Sequence, residues 1–122
     1  MAEHYSSFDR SGTKWLLQRV TAAFLVVVLA FHFFLLHFVN HAADVTFAGT
    51  SARMSTWTYF SLMVLFLLTA TFHGVNGIHN TLIHRDGVDG WKQTAITAVL
   101  VVASLVLVVQ GLRTALVWTN LF

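Results

Sequence analysis

The sequence predicts an all-α membrane protein with three transmembrane helices, on the basis of its composition, its apolar runs and its tryptophans. Of the 122 residues, 57% are hydrophobic, 10% are charged and none is proline, and the mean hydropathy is +0.71. Soluble domains carry about 25% charged residues. We therefore expect a single transmembrane domain over residues 1–122, with no room for a separate soluble catalytic domain.

Three apolar runs define the expected helices, at residues 15–39, 57–83 and 94–118. Each exceeds the roughly 20 residues that a transmembrane helix needs. Stretches of Val, Leu, Phe and Ala without an alternating polar pattern favour helices over strands. Interfacial tryptophans commonly mark span ends, and here every tryptophan lies at one: Trp15, Trp57, Trp91 and Trp118.

The basic residues predict a cytoplasmic N-terminus and a C-terminus outside, because cytoplasmic loops carry the excess of Lys and Arg. Residues 1–14 are polar, lack the apolar core of a signal peptide and are expected to form a cytoplasmic tail. The connections are residues 40–56 and residues 85–93, the second containing a turn at Gly87 and Gly90. Five of the seven basic residues fall on the predicted cytoplasmic side: Arg10, Lys14, Arg19, Arg85 and Lys92.

The absence of cysteine excludes several kinds of centre from this polypeptide. Disulfides, iron–sulfur clusters, thiolate zinc sites and covalently attached c-type haem all need cysteine. The net charge of +2 is small and the basic residues are scattered, so nucleic acid is not an expected partner.

A polar stripe runs down the second span. Residues three or four apart share a helix face, and this spacing joins Thr69, His73, Asn76, Gly77, Asn80 and His84. Polar side chains within a membrane face other helices, a cavity or a cofactor. Gly74 and Gly77 remove bulk beside His73 and would let a flat macrocycle approach the backbone. The stripe thus favours His73 as an axial ligand of b-type haem; a hydrogen bond to a neighbouring helix is the other interpretation.

The remaining histidines and Arg19 allow more than one interpretation. His32 lies deep in the first span, whereas His37 and His41 lie nearer its outer end, where an interfacial role is expected. His79 is about 120° around the helix from His73 and cannot ligate the same iron. Arg19 could reach the headgroups by snorkelling, or it could meet a haem propionate or a quinone oxygen.

Two motifs resemble the small hydrophobic membrane-anchor subunits of succinate:quinone oxidoreductase, the respiratory complex II group that includes fumarate reductases. The first is Trp15-Leu-Leu-Gln18-Arg19-Val-Thr21-Ala, followed by His32. It is similar to the W-x-x-Q-x-x-T-G/A opening of the family's first anchor helix. The second runs from His73-Gly-Val-Asn-Gly77 to Asp86 and is similar to the family's H-G/A-x-x-G helix. The third span matches only in character, and the first connection does not match.

The resemblance implies haem b as a cofactor, with two haem groups shared between this chain and a second anchor subunit. His73 would ligate the haem nearer the iron–sulfur subunit, and His32 would ligate a second haem toward the outer face. Helix geometry alone allows another arrangement. If Arg19 and His84 lie at similar depth, His32 and His73 are about 3 Å apart in height and could clamp one haem within this chain.

The resemblance also implies a quinone as substrate, and Arg19, His84 and Asp86 are the residues expected near it. The sequence departs from the family here, because His84-Arg85-Asp86 lacks the Asp-Tyr pair that some members use for ubiquinone. The implied partners are a second anchor subunit, an iron–sulfur subunit, a flavoprotein subunit and membrane lipid. The chain would be a non-flavin subunit of a prokaryotic succinate dehydrogenase in the cell membrane, without a dehydrogenase site of its own.

Three other functions remain open from the sequence. They are a generic b-type transmembrane electron carrier, a haem-free helical anchor and a small metal-binding membrane protein. A metal site would favour carboxylates beside the histidines, and no Asp or Glu lies within the predicted spans.

Overall fold

The fold consists of helices throughout the part of the chain that the computed structural model describes, which is residues 2–121, with side chains for residues 12–121. In chain order the elements are α1 (Ala2–Phe34), continued by a π-helical turn (Leu35–Val39), a 3₁₀ turn (Ala42–Asp44), α2 (Phe47–Met54), α3 (Trp57–Ile83) and α4 (Trp91–Trp118). No strand occurs within residues 2–121.

Three helices are long and apolar enough to cross a membrane, which confirms the predicted fold class. They are Gly12–Val39, Trp57–Ile83 and Trp91–Trp118. The second coincides with the predicted span of residues 57–83. The third begins at Trp91, three residues before the apolar run that starts at residue 94, because the polar residues ahead of that run are also helical. The orientation of the termini stays a prediction.

Helix α1 continues without a break into the predicted tail, since its backbone is helical from Ala2. The tail residues are polar, and helical hydrogen bonding does not depend on apolar side chains. The span therefore occupies only the C-terminal part of a longer helix.

The first connection is more ordered than the sequence predicts, because it contains α2. Thr46 caps this helix, with its hydroxyl oxygen accepting a hydrogen bond from the Gly49 amide at 3.1 Å. The backbone amide of Asn120 donates to the Ser55 hydroxyl at 3.0 Å, which ties the C-terminal segment to the end of α2. The first connection and the C-terminal segment therefore lie at the same end of the bundle.

The second connection makes the turn expected from its glycines. Gly87 and Gly90 have positive φ angles of 81° and 51°, a region that only glycine adopts readily. The Lys92 ammonium group donates to the Gly87 carbonyl at 2.9 Å. The turn reverses the chain between α3 and α4.

Helix α3 is the centre of the bundle and packs against both α1 and α4. Gly111 of α4 allows a close approach, because a Cβ atom there would lie 2.6 Å from a methyl carbon of Leu67. Among the described side chains, only Met54 and Thr119 are buried. Most apolar side chains therefore face outward, as expected of helices whose solvent is lipid or a partner subunit.

Candidate functional site

The site is built where α1 crosses α3, around the backbone and ring of His73. The side-chain amide of Gln18 donates to the His73 carbonyl at 3.1 Å. The Thr21 hydroxyl lies 3.2 Å from His73 Nδ1. Gln18 and Thr21 are three residues apart on one face of α1, so both reach α3 together.

Asn76 extends this contact by one turn of α3. Its amide donates to the Gln18 side-chain oxygen at 2.8 Å, so Gln18 uses both its donor and its acceptor on α3. Gly77 lies beside this contact, since a Cβ atom there would be in van der Waals contact, at 3.4 Å, with the Gln18 amide nitrogen. We call Gln18, Thr21, His73 and Asn76 the interhelical cluster.

The cluster determines which nitrogen of His73 carries the proton. The Thr21 hydroxyl lies 2.6 Å from the Leu17 carbonyl and 3.1 Å from that of Gln18, so its single hydrogen is directed to the backbone of α1. The Thr21 oxygen then accepts a hydrogen bond from His73 Nδ1–H. This assigns the tautomer that leaves His73 Nε2 unprotonated, with a lone pair available to a metal.

A groove of about 390 Å³ lies beside this histidine on the surface of α3. Its lining is almost wholly from α3, with one contribution from α1: Gln18, His73, Gly74, Gly77, Ile78, Thr81 and Leu82. Gly74 is exposed, and no atom lies within 4 Å of the position that a Cβ atom would take there. A flat group can therefore approach the α3 backbone next to the His73 ring.

The structure separates His32 from His73. Thr21 lies at the level of His73, and His32 follows Thr21 by eleven residues, or about 16 Å along α1. Metal–imidazole bonds are about 2 Å long, so one iron cannot bind both histidines in this arrangement. The single-haem clamp left open by helix geometry is wrong, because Arg19 and His84 do not lie at similar depth.

The side chain of His32 is exposed, although Leu25 and Val28 on the same face of α1 are half-buried. No described hydrogen bond, ion pair or ring contact involves it. Its ring is therefore accessible to a group from outside the chain.

Arg19, His84 and Asp86 are not brought together within the chain. The Arg19 guanidinium carbon lies 4.3 Å from the ring centroid of Trp15, one turn away on α1. His84 ends α3, and its Nδ1–H donates to the Asn80 carbonyl at 2.7 Å. Asp86 is exposed in the following turn. His84 lies about 12 Å along α3 beyond Asn76, the residue that bonds to Gln18 next to Arg19.

The other histidines have local partners. His79 faces α4, with Nε2 lying 3.0 Å from the Thr97 hydroxyl, consistent with its predicted angle from His73. His37 Nδ1–H donates to the Phe33 carbonyl at 2.9 Å, and its ring stacks on Phe33. His41 is exposed and precedes the 3₁₀ turn.

Sequence reasoning did not identify the partners of His73. Gln18 and Thr21 belong to the first motif and Asn76 to the polar stripe, but neither pattern predicts the contact among them. The available signal was the three-residue spacing of Gln18 and Thr21 on α1, which matches that of His73 and Asn76 on α3. Among residues 12–121, no group of three or more metal-ligating side chains of the His, Cys, Asp and Glu types comes together.

Comparison with known proteins identifies the family. The model of the succinate dehydrogenase/fumarate reductase transmembrane subunit matches residues 3–113. The chain is 28% identical over 98 residues to the succinate dehydrogenase hydrophobic membrane anchor subunit of Archaeoglobus fulgidus, covering 80% of this chain and 82% of the relative. No solved structure matches the chain. The chain belongs to the succinate dehydrogenase/fumarate reductase transmembrane subunits and is a membrane anchor of that family.

Proposed function

We propose that this anchor binds haem b at His73 and passes electrons from an iron–sulfur subunit to membrane quinone. The observation that carries the proposal is the hydrogen bonding of His73. Its Nδ1–H is held by Thr21 at 3.2 Å, so that Nε2 has a lone pair beside an open groove. Metal-ligating histidines characteristically donate the other ring N–H to a fixed acceptor.

The residues present fit a haem in three respects. The ligand nitrogen is unprotonated, the groove is mostly apolar, and Gly74 and Gly77 leave the backbone of α3 accessible. When bound, haem iron supplies a one-electron centre. The chain itself orients the imidazole through Thr21 and holds the His73 backbone through Gln18.

A second anchor subunit is the partner that completes the site. The groove is lined almost wholly by α3, and His73 is the one histidine in its lining. Another ligand of the haem iron would come from the partner. The outward apolar faces of the three spans provide the surface on which it could pack.

His32 is proposed as the ligand of a second haem. Its exposed ring lies about 16 Å along α1 from the level of His73, which leaves room for a separate macrocycle. Because no described residue of this chain fixes the His32 ring, the partner would supply both the other ligand and the orienting hydrogen bond.

Quinone is proposed to bind near the connection between α3 and α4. His84 is exposed, and its Nδ1–H donates to the Asn80 carbonyl, so the neutral ring leaves Nε2 free to accept a proton. Asp86 is exposed two residues later. These groups could exchange the protons of quinone chemistry with water. Arg19 lies deeper, on the ring of Trp15, where it could meet a propionate.

The proposed setting is the prokaryotic cell membrane, with residues 1–14 and the α3–α4 turn in the cytoplasm. Succinate oxidation would take place on a flavoprotein subunit, and this chain would carry no dehydrogenase site of its own. The chain would thus act as a non-flavin subunit of the enzyme.

The test is purification of the complex through a tag on this chain, followed by measurement of flavin, iron and extracted haem. We expect flavin and iron–sulfur subunits to co-purify with two b haems per flavin, and His32→Ala to reduce the ratio to one. Haem without flavin would indicate a generic b-type carrier. Flavin without haem would indicate a haem-free anchor.

A further inference from the structure

The connection between the first two spans encloses a second cavity, remote from the interhelical cluster. Its volume is about 210 Å³, and its lining is mainly polar, including Asn40, His41, Asp44, Gly49 and Arg53. The first span ends at Val39 and α3 begins at Trp57, so the cavity lies between two span ends. It is therefore at the depth of the lipid headgroups.

Arg53 is the unusual residue of this cavity, because its charge is incompletely partnered. Its Nε atom is buried without a hydrogen-bond partner. One of its terminal nitrogens lies 3.5 Å from the Thr50 hydroxyl, a long contact with a neutral group. No described carboxylate forms an ion pair with it. Buried charged donors are normally paired, and the Nε–H group of this half-buried guanidinium lacks an acceptor.

The shape of the cavity suits a small oxyanion. A guanidinium presents a planar fork of N–H donors that matches phosphate and carboxylate oxygens. His41 and Asn40 line the same space and offer further side-chain donors. Gly49 also lines this space, and a Cβ atom there would lie 3.2 Å from the Thr46 hydroxyl oxygen.

Asp44 limits which anion can enter. Its carboxylate lines the cavity without pairing with Arg53. A negative side chain in the same space repels an anion, and the repulsion grows with the charge of that anion. The arrangement thus favours a singly charged oxyanion over a doubly charged one.

We propose that this cavity is a binding site for a phosphate-type oxyanion, held by the Arg53 guanidinium at the membrane interface. Two sources share this chemistry, namely the phosphodiester of a phospholipid headgroup and free inorganic phosphate. The site is independent of the proposed haem and quinone functions, because none of its residues belongs to the interhelical cluster or its groove.

The test compares Arg53→Gln with wild type, using the full chain purified with the subunits that accompany it. Native mass spectrometry after reconstitution with one defined phospholipid counts retained lipids. Calorimetric titration of delipidated protein with inorganic phosphate measures binding of the free ion. Arg113→Gln is the matched control, since Arg113 is an exposed arginine near the end of α4.

A headgroup site predicts that wild type and Arg113→Gln retain one phospholipid more than Arg53→Gln. A free-phosphate site predicts roughly tenfold or greater weakening of phosphate binding in Arg53→Gln, without a difference in retained lipid. Equal lipid retention and equal phosphate binding in all three proteins would overturn the proposal. If Arg53→Gln does not fold, Asp44→Asn is the second variant, and it should bind the same ligand more tightly than wild type. Unchanged or weaker binding by Asp44→Asn would overturn the proposal.

Discussion

The Thr21 hydroxyl and His73 Nδ1 lie 3.2 Å apart, and this contact joins α1 to α3 at the level of the proposed ligand. The same hydroxyl directs its hydrogen to the backbone of its own helix, at 2.6 Å from the Leu17 carbonyl. Thr21 therefore acts only as an acceptor toward the imidazole. A residue on the first span thus selects the tautomer of a histidine on the second.

Replacing Thr21 with valine should weaken haem binding without preventing assembly. Valine keeps the branched shape but removes the acceptor of His73 Nδ1–H. Loss of such an outer partner costs about 10- to 100-fold in metal affinity. The imidazole also becomes a poorer electron donor, so the midpoint potential of the haem should rise.

The measurement is a redox titration of the haem absorbance together with haem retention during dilution. Thr21→Ser is the matched control, because it keeps the hydroxyl and should restore both values. An unchanged potential in Thr21→Val would show that the hydroxyl does not act on the ligand.

Replacing Gln18 with leucine should destabilise the contact between α1 and α3. Gln18 donates to the His73 carbonyl and accepts from Asn76, so leucine removes two hydrogen bonds and leaves the Asn76 amide unpaired. Single hydrogen bonds within membranes contribute about 0.6 kcal/mol on average, and we expect a total loss of roughly 1–2 kcal/mol. Thermal unfolding of the purified complex in detergent measures it.

The control for Gln18 is Gln110→Leu. Gln110 is exposed on α4, and no described contact involves its side chain. We expect the complex with Gln110→Leu to unfold at the wild-type temperature. Equal unfolding temperatures for both variants would contradict a structural role for Gln18.

Adding a methyl group at Gly111 should displace the Leu67 side chain and disturb the packing of α4 on α3. A Cβ atom there would lie 2.6 and 2.7 Å from the two terminal methyl carbons of Leu67. Overpacking of this kind costs about 1–3 kcal/mol, so Gly111→Ala should lower the unfolding temperature of the complex. Leu67→Ala in the same chain should recover much of the loss, and a lack of recovery would show that the strain has another source.

Much of the fold could be predicted because lipid imposes a simple requirement on helix length. The span at residues 57–83 agrees with α3, since Trp57 opens it and the polar turn follows Ile83. Helix α2 was not predicted, because eight residues with a mixed composition carry too little periodicity to be distinguished from a loop. Helix α4 begins three residues before the apolar run at residues 94–118, since Trp91 and the polar residues after it are helical without belonging to that run.

The site was less accessible to sequence reasoning than the fold. Periodicity placed His73 and Asn76 on one face of α3, and the structure shows that this face meets α1. The relative height of two helices depends on side-chain contacts that periodicity does not contain. If Arg19 and His84 lay at the same depth, His32 would lie nearly level with His73. The contact of Thr21 with His73 instead places His32 about 16 Å from that level along α1.

The most direct test of the proposed site is the haem content per flavin of the purified complex, for His73→Ala and His79→Ala. Both histidines lie on α3, but His79 is bonded to Thr97 of α4 and is turned away from the groove. We expect His73→Ala to lose one haem and His79→Ala to keep the wild-type ratio, with both variants retained in the membrane. A wild-type ratio in His73→Ala would contradict the assignment of His73 as a haem ligand.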